Sequence, residues 1–278
     1  MEFQAIKRII DMGSTQKRIT ELRKAKQIIN SLYNNSNLTL IIHYSCESLY
    51  EYNEGKTPRI SSIAVKYFDN NQTKSFSIQT EAELKKVDFD ALEERYEELE
   101  KKMLDNFFKF VNDHKSYNWV HWNMRNLNFG FEALENRYKI LGGKTFFSIP
   151  DNNKYDLSNL LLERYGENYI GHSRFYELYK LNNITDRHIL YGEEEATCFK
   201  NKEFYKLHQS TMRKVDILDS LLHKTFLDKL KTNSKLKDIY GISPSGIYEM
   251  IKENWIINLI ATVILLLAGA ALGGYFSN

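Results

Sequence analysis

The side chains best equipped for chemistry in this chain are carboxylates and polar groups at the ends of apolar runs. Glu47 follows the run Leu38–Cys46, and His121 and Asn123 close the run that begins at Tyr117. Asp156, Asp216 and Asp219 belong to later helical stretches. Acids that converge can hold divalent cations, which activate water or polarise a phosphoryl oxygen. Thiol chemistry has no such support. Cys46 and Cys198 with His43, His121 or His208 show no Cys–His spacing, no metal-ligand spacing and no disulfide framework, as suits a reducing compartment. Gly142–Gly143 reads as a helix cap rather than a phosphate loop. Glu193-Glu194-Glu195 reads as the acidic first turn of a helix, where negative charge suits the dipole.

Three stretches fall into a suggestive order. Tyr44-Ser45-Cys46-Glu47-Ser48 ends the first apolar run, and after a loop comes Ile60-Ser61-Ser62-Ile63-Ala64-Val65. Trp119-Val120-His121-Trp122-Asn123-Met124-Arg125-Asn126-Leu127-Asn128-Phe129 follows, and His208 precedes Ser210-Thr211-Met212-Arg213-Lys214-Val215-Asp216. Over residues 38–225 this order resembles the DEDD family of 3′–5′ exonucleases, which have an RNase H-like fold. The resemblance implies that the family's Asp-x-Glu motif, its first two acids, falls at Ser45–Glu47, its third acid at Asn126 or Asn128, and its fourth at or beside Arg213 or Lys214.

The departures are as informative as the matches. Of the four acids the family uses, only Glu47 stands where it is expected. One carboxylate cannot hold two Mg²⁺ ions, and a cation in place of an acid opposes metal binding. The resemblance therefore implies a degenerate domain with no resident metal. Glu47 and Asp156 are the candidate catalytic acids, and Mg²⁺ or Mn²⁺ would be needed only if nuclease activity survives. Asp216 and Asp219 could also contribute to a shifted site. The plainer readings are an N-cap for Asp156 and solvated helix positions for Asp216 and Asp219. His121, Asn123, Arg125, Arg213 and Lys214 would face the place where the family binds a nucleotide phosphate, without a metal. The alternatives are a solvated helix face for Arg213 and Lys214, and packing in the core for His121 and Trp122.

The elements that would position these groups are legible in the hydrophobic pattern. Residues 14–33 read as an amphipathic helix with Ile19, Leu22, Ile28, Ile29 and Leu32 on one face. Strands are expected at 38–46, 60–68 and 73–79, with Asn70–Asn71 turning the second hairpin. A charged helix at 88–113, with a stripe from Leu92 to Phe110, leads to a strand at 117–122 and a helix at about 127–141. Helical stretches fill 156–231. The expected fold is α/β: an RNase H-like mixed sheet, antiparallel meander plus parallel strand, flanked by helices.

From Ile256 to Gly274 the chain carries 19 uncharged residues, ten of them Ile, Leu or Val. At about −0.3 to −0.6 kcal/mol each, these contribute roughly −3 to −6 kcal/mol of insertion energy. Trp255, Tyr275 and Phe276 flank the stretch as interfacial aromatics do. A single-pass, C-terminally anchored membrane protein is expected. The bulk should be cytoplasmic, since MEFQAIKRIIDMG lacks the apolar core of a signal peptide and Lys235, Lys237 and Lys252 precede the span. Gly269 and Gly273 form a small-xxx-small pair suited to close approach of two such helices, although small residues also occur on lipid-facing spans by chance.

The whole chain is 27% charged and 42% hydrophobic, a globular composition that excludes disorder. A net charge of +2 excludes a global field for nucleic acid, so any basic surface must be local. The expected organisation is a helical segment at 1–37, an exonuclease-like domain at 38–231, a linker with juxtamembrane helix at 232–254 and a transmembrane helix at 255–276. The expected function is binding of a nucleotide or single-stranded nucleic acid and signalling to the bilayer, in an architecture shared with bacterial antiviral defence modules. Alternatives are an active membrane-tethered exonuclease, or an effector whose helix oligomerises to perturb the membrane.

Overall fold

The computed structural model describes residues 2–47, 57–88, 90–125, 129–144 and 146–276, with side chains from Gln16 to Leu272. Contacts divide the chain into two units. One comprises residues 28–160 and 172–231, and the other residues 1–27, 161–171 and 232–278.

The larger unit holds a five-stranded mixed sheet. Strands β1 (Thr39–Cys46), β2 (Ile60–Tyr67) and β3 (Thr73–Ser77) form the expected antiparallel meander, and β4 (Asn118–His121) joins parallel to β1. A fifth strand, β5 (Lys154–Asp156), pairs parallel to β4, so the order across the sheet is β3-β2-β1-β4-β5. Asn71, at φ 61°, makes the turn between β2 and β3, while the side-chain oxygen of Asn70 accepts from the Gln72 amide. β1 to β2 pairs Leu40 with Tyr67 through to Ser45 with Ser62, and a bulge falls between Ser45 and Cys46. A bulge re-aims the residues at a strand end, and this one sits just before Glu47.

One face of β1 supplies Leu40, Ile42, Tyr44 and Cys46 to the core. There they meet α3 (Tyr96–Asp113) through Leu99, Met103, Leu104 and Phe107, and α4 (Phe131–Ile140) through Leu134 and Tyr138. The period-two alternation of the strand and the 3.6-residue stripe of the helix make this packing available. Beneath it, buried Glu100 accepts two hydrogen bonds of 3.0 Å and one of 2.6 Å from Arg137, and one from the Ile60 amide. Helix α4 ends as expected, with Gly142 at φ 71° and the Gly143 amide bonded to the Tyr138 carbonyl.

Several boundaries differ from expectation. Ser77 ends β3 because its hydroxyl accepts from the Thr80 amide and starts helix α2 (Ile78–Leu84). Helix α3 begins at Tyr96 rather than 88. Residues 90–95 form turns, beginning at an Ala91 amide bonded to the Asp88 carbonyl, and Asp favours such local structure over helix interiors. Strand β5 falls where the pattern of the sequence predicts only helix and loop. The stretch 193–209 is not one helix. α7 (Gly192–Lys200) stops where Lys202 takes φ 58°, and α8 (Phe204–Phe226) then runs unbroken. Helix α6 (Arg174–Leu181) completes this unit, and α5 (Leu157–Tyr165) begins in it.

Helix α1 (Glu2–Asn34), longer than expected, belongs to the smaller unit as far as Gln27, and there Arg18 reaches the carbonyls of Glu163 and Arg164 at the end of α5 and that of Asp238. These are carbonyls a helix leaves unpaired at its C-terminus. Residues 232–243 are more than a linker, since they contain α9 (Leu236–Tyr240). α10 (Pro244–Glu253) follows, capped by Ser243, and then α11 (Trp255–Phe276). Within α11, Trp255–Leu272 has a mean hydropathy of 2.4 and no buried residue, so it is long and apolar enough to cross a membrane.

Candidate functional site

The parallel strands β1, β4 and β5 point their C-terminal ends the same way, and in open α/β sheets that edge is where ligands bind. Helices α7 and α8 pack near β1 there, and two adjoining cavities open among them. The smaller, about 250 Å³, is lined by His43, Ser45, Glu47 and Glu195 among others. The larger, about 530 Å³, is lined by Arg125, Arg174, Phe175, Tyr176 and Tyr191. Trp122, Asn123, Gly192 and Lys214 border both, which makes them one cleft with an apolar wall and a charged floor.

A chain of polar contacts forms the floor. Ser45 donates to Glu195 Oε1 at 2.9 Å, and its oxygen lies 2.8 Å from Thr211 Oγ1. Buried Lys214 places Nζ 2.8 Å from the same Glu195 oxygen. At the rim, Arg59 holds Glu47 in a two-point fork of 2.8 and 3.2 Å and also reaches Glu93. Burial alone would raise the Glu47 carboxyl, but the Arg59 hydrogen bonds and charge outweigh it and hold the group below its usual range.

Asp156 accepts from the amides of Asn123 (3.2 Å) and Ser158 (3.0 Å), the latter as a cap for α5, and pairs with Arg125 at 2.5 Å. Burial still leaves its pKa raised. Asn123 itself adopts φ 53°, a left-handed conformation that Asn tolerates better than most residues and that turns the chain into the cleft wall. Trp122 stacks edge-on against Phe175 at 5.2 Å. Among the described residues the His43 Nδ1 atom has no hydrogen-bond partner, and burial followed by the nearby Lys214 charge pushes its pKa well down.

Of the residues singled out in the sequence, Glu47, Asn123, Arg125 and Lys214 meet at the cleft. His121 does not line it. The ring is buried against Phe131, and Nδ1 accepts from the Met124 amide. Arg213 turns away to the Thr185 carbonyl at 2.7 Å. Asp216 and Asp219 supply no shifted site, because both pair with Lys66 of β2 at 2.9 and 3.3 Å, away from the cleft. Asn126 and Asn128 lie outside the described residues.

Glu195 is the site residue that local pattern missed. The Glu193–Glu195 run does open α7 as expected, but its third member reaches across to β1. Among the described residues no three His, Cys, Asp or Glu side chains stand close enough to hold a metal ion. Glu47, Glu195 and Asp156 each face a cation of the chain instead: Arg59, Lys214 and Arg125 respectively. These residues do not fit a two-cation centre. They fit an anionic ligand that could exchange with an internal carboxylate for Arg or Lys, beside aromatic faces suited to a base. No protein-family model matches the chain, and no curated protein matches it well enough to count as a relative.

Proposed function

We propose that this is a membrane-anchored protein whose α/β unit binds a nucleotide or a nucleic-acid end in the cleft, without two-metal hydrolysis, and couples that binding to the membrane. The observation that carries the reading is Lys214. A buried ammonium on the cleft floor, 2.8 Å from Glu195, is a poor neighbour for Mg²⁺ and a good one for phosphate. The strand order, a meander extended by parallel strands, supports the likeness to an RNase H-like exonuclease scaffold. Trp122, Tyr176 and Tyr191 supply faces on which a base can stack, and Arg125 and Arg174 supply further positive charge. The uncharged α11 supports the anchor, with the body of the chain on the cytoplasmic side.

A second reading is favoured by one observation: two carboxylates, Glu47 and Glu195, border the same small cavity. If Arg59 and Lys214 swing aside when substrate enters, those acids could recruit a cation, and the protein would be a tethered 3′–5′ exonuclease. One experiment separates the two. Full-length protein in nanodiscs is given fluorescent oligonucleotides, single-stranded DNA and RNA, with and without Mg²⁺ or Mn²⁺. The binding reading expects retention of intact oligonucleotide in chelator, weakened about tenfold or more by Lys214→Ala, consistent with loss of a charge-assisted contact. Metal-dependent shortening that disappears in Glu47→Ala would overturn it in favour of the nuclease.

A further inference from the structure

Helix α10 carries its polarity reversed. Its acids are engaged by the rest of the unit: Glu249 is buried and bonded to Arg23 of α1, and Glu253, at the more exposed end, pairs with Lys26 and accepts from the Tyr240 hydroxyl at 2.9 Å. Gly246 lies on the same face as Glu249, where an added Cβ would stand 2.2 Å from the Tyr240 carbonyl oxygen. The opposite face is apolar and open. Tyr248 is 63% exposed, Ile247 is also exposed, and Ile242 just before the helix is 81% exposed. A soluble protein rarely leaves such side chains outward together while burying charge beneath them.

The position of this face along the chain indicates its covering. Only Asn254 separates α10 from the membrane-length α11. Its extended backbone breaks the helix, and its side-chain oxygen accepts from the Ile256 and Ile257 amides to cap the next one. Trp255, 75% exposed, stands at the junction. The open face of α10 is thus continuous with the surface that meets lipid. The cation Lys252 is exposed without an ion-pair partner among the described residues, whereas Glu249 is neutralised by Arg23 and Glu253 by Lys26.

We infer that α10 is an interfacial helix, seated in the headgroup–acyl boundary of an anionic bilayer with Ile242, Ile247, Tyr248 and Trp255 immersed and Lys252 at the phosphate level. This rests on the reading of α11 as a membrane anchor. It adds that the unit built on α1, α9 and α10 is held against the bilayer rather than suspended from it.

The test uses full-length Tyr248→Cys carrying an environment-sensitive thiol dye, in nanodiscs of phosphatidylcholine and phosphatidylglycerol. Cys46 and Cys198 are both buried, so the dye reports the introduced site. Leu84→Cys, at a residue 73% exposed on α2, is the solvent control. The expected result is blue-shifted emission at position 248, quenched about twofold or more by lipids brominated near the top of the acyl chain, with neither effect at position 84. Water-like, unquenched emission from nanodisc-bound protein would overturn the inference and leave the anchor standing. A blue shift that ignores bromine and grows with the number of copies per disc would also overturn it, assigning the face to a second copy. Protein that fails to enter nanodiscs would overturn the anchor reading and this inference with it.

Discussion

Lys214 on α8 and Glu195 on α7 meet 2.8 Å apart on the cleft floor, and the Ser45 hydroxyl of β1 donates to the same carboxylate oxygen. The pair joins three separate elements, so its removal has consequences beyond charge. Lys214→Met leaves a largely buried carboxylate with the Ser45 hydroxyl as its remaining partner among the described residues. Stability should fall by about 1–3 kcal/mol, and Glu195→Gln in the same background should return part of it. Urea unfolding of the two single variants and the double measures the coupling.

The Glu100–Arg137 pair is more deeply placed, with no exposed surface on the acid. Arg137→Met would strand a buried carboxylate that also holds the Ile60 amide at the start of β2. A loss of about 3–5 kcal/mol is expected, well above that at Lys214, because no solvent reaches the orphaned group. The same unfolding measurement ranks the two sites. Equal losses would contradict the burial argument.

His121 gives a pH prediction with a definite sign. Burial, then the charges of Arg125 and Lys154, push its pKa from 6.5 down to about 3. The folded state therefore holds the ring neutral while the unfolded chain protonates it. The stability this contributes is complete above pH 6.5 and is lost as the pH falls toward 3. The slope from one such group is about 1.4 kcal/mol per pH unit. His43 and His208 are shifted in the same direction and add to it. His121→Asn, which keeps an acceptor for the Met124 amide, should flatten the acid limb by about one proton in stability-versus-pH measurements.

Gly246→Ala tests the packing of α10. The new methyl would collide with backbone at the Tyr240 carbonyl, which cannot swing aside as a side chain could. A loss of about 1–3 kcal/mol is expected, with protease cleavage appearing between Tyr240 and Pro244. Unchanged resistance to proteolysis would show that α9 and α10 are not held as described.

At Gly269 an added side chain meets open space, so Gly269→Ile should leave the folded monomer intact. Self-association of α11 in a transmembrane reporter should nonetheless drop for Gly269→Ile and Gly273→Ile if the small-residue face joins two copies, by about 1 kcal/mol or more. No change in either variant would remove that role.

Fold and site were legible to different depths. Strands β1, β2 and β3 could be read because the apolar runs are long and the Asn70–Asn71 turn is local. β5 could not, because three half-buried residues carry no periodic signal and pair only through β4. The break at Lys202 was hidden for a similar reason: a single left-handed residue interrupts an otherwise helical composition. Within the cleft, Asn123 and Lys214 were found by position relative to the strands. Their neighbours His121 and Arg213 were also singled out, yet the direction each side chain takes is set by distant groups, Phe131 and the Thr185 carbonyl. Glu195 lay in plain view as an acidic first turn. Its reach to Ser45, 150 positions away, is a property of how α7 lies on the sheet.

The two margins of the sheet, β3 and β5, bear on how copies of this chain would coexist if they shared a bilayer. Tethering confines neighbours to a plane, where encounters between unsatisfied strand backbones become frequent. β5 offers only three residues to such an encounter, and β3 presents an exposed lysine, Lys74, among its five. Short borders and a charged guard are the usual defences against runaway strand addition. Crowding by itself would therefore not polymerise the protein through its sheet.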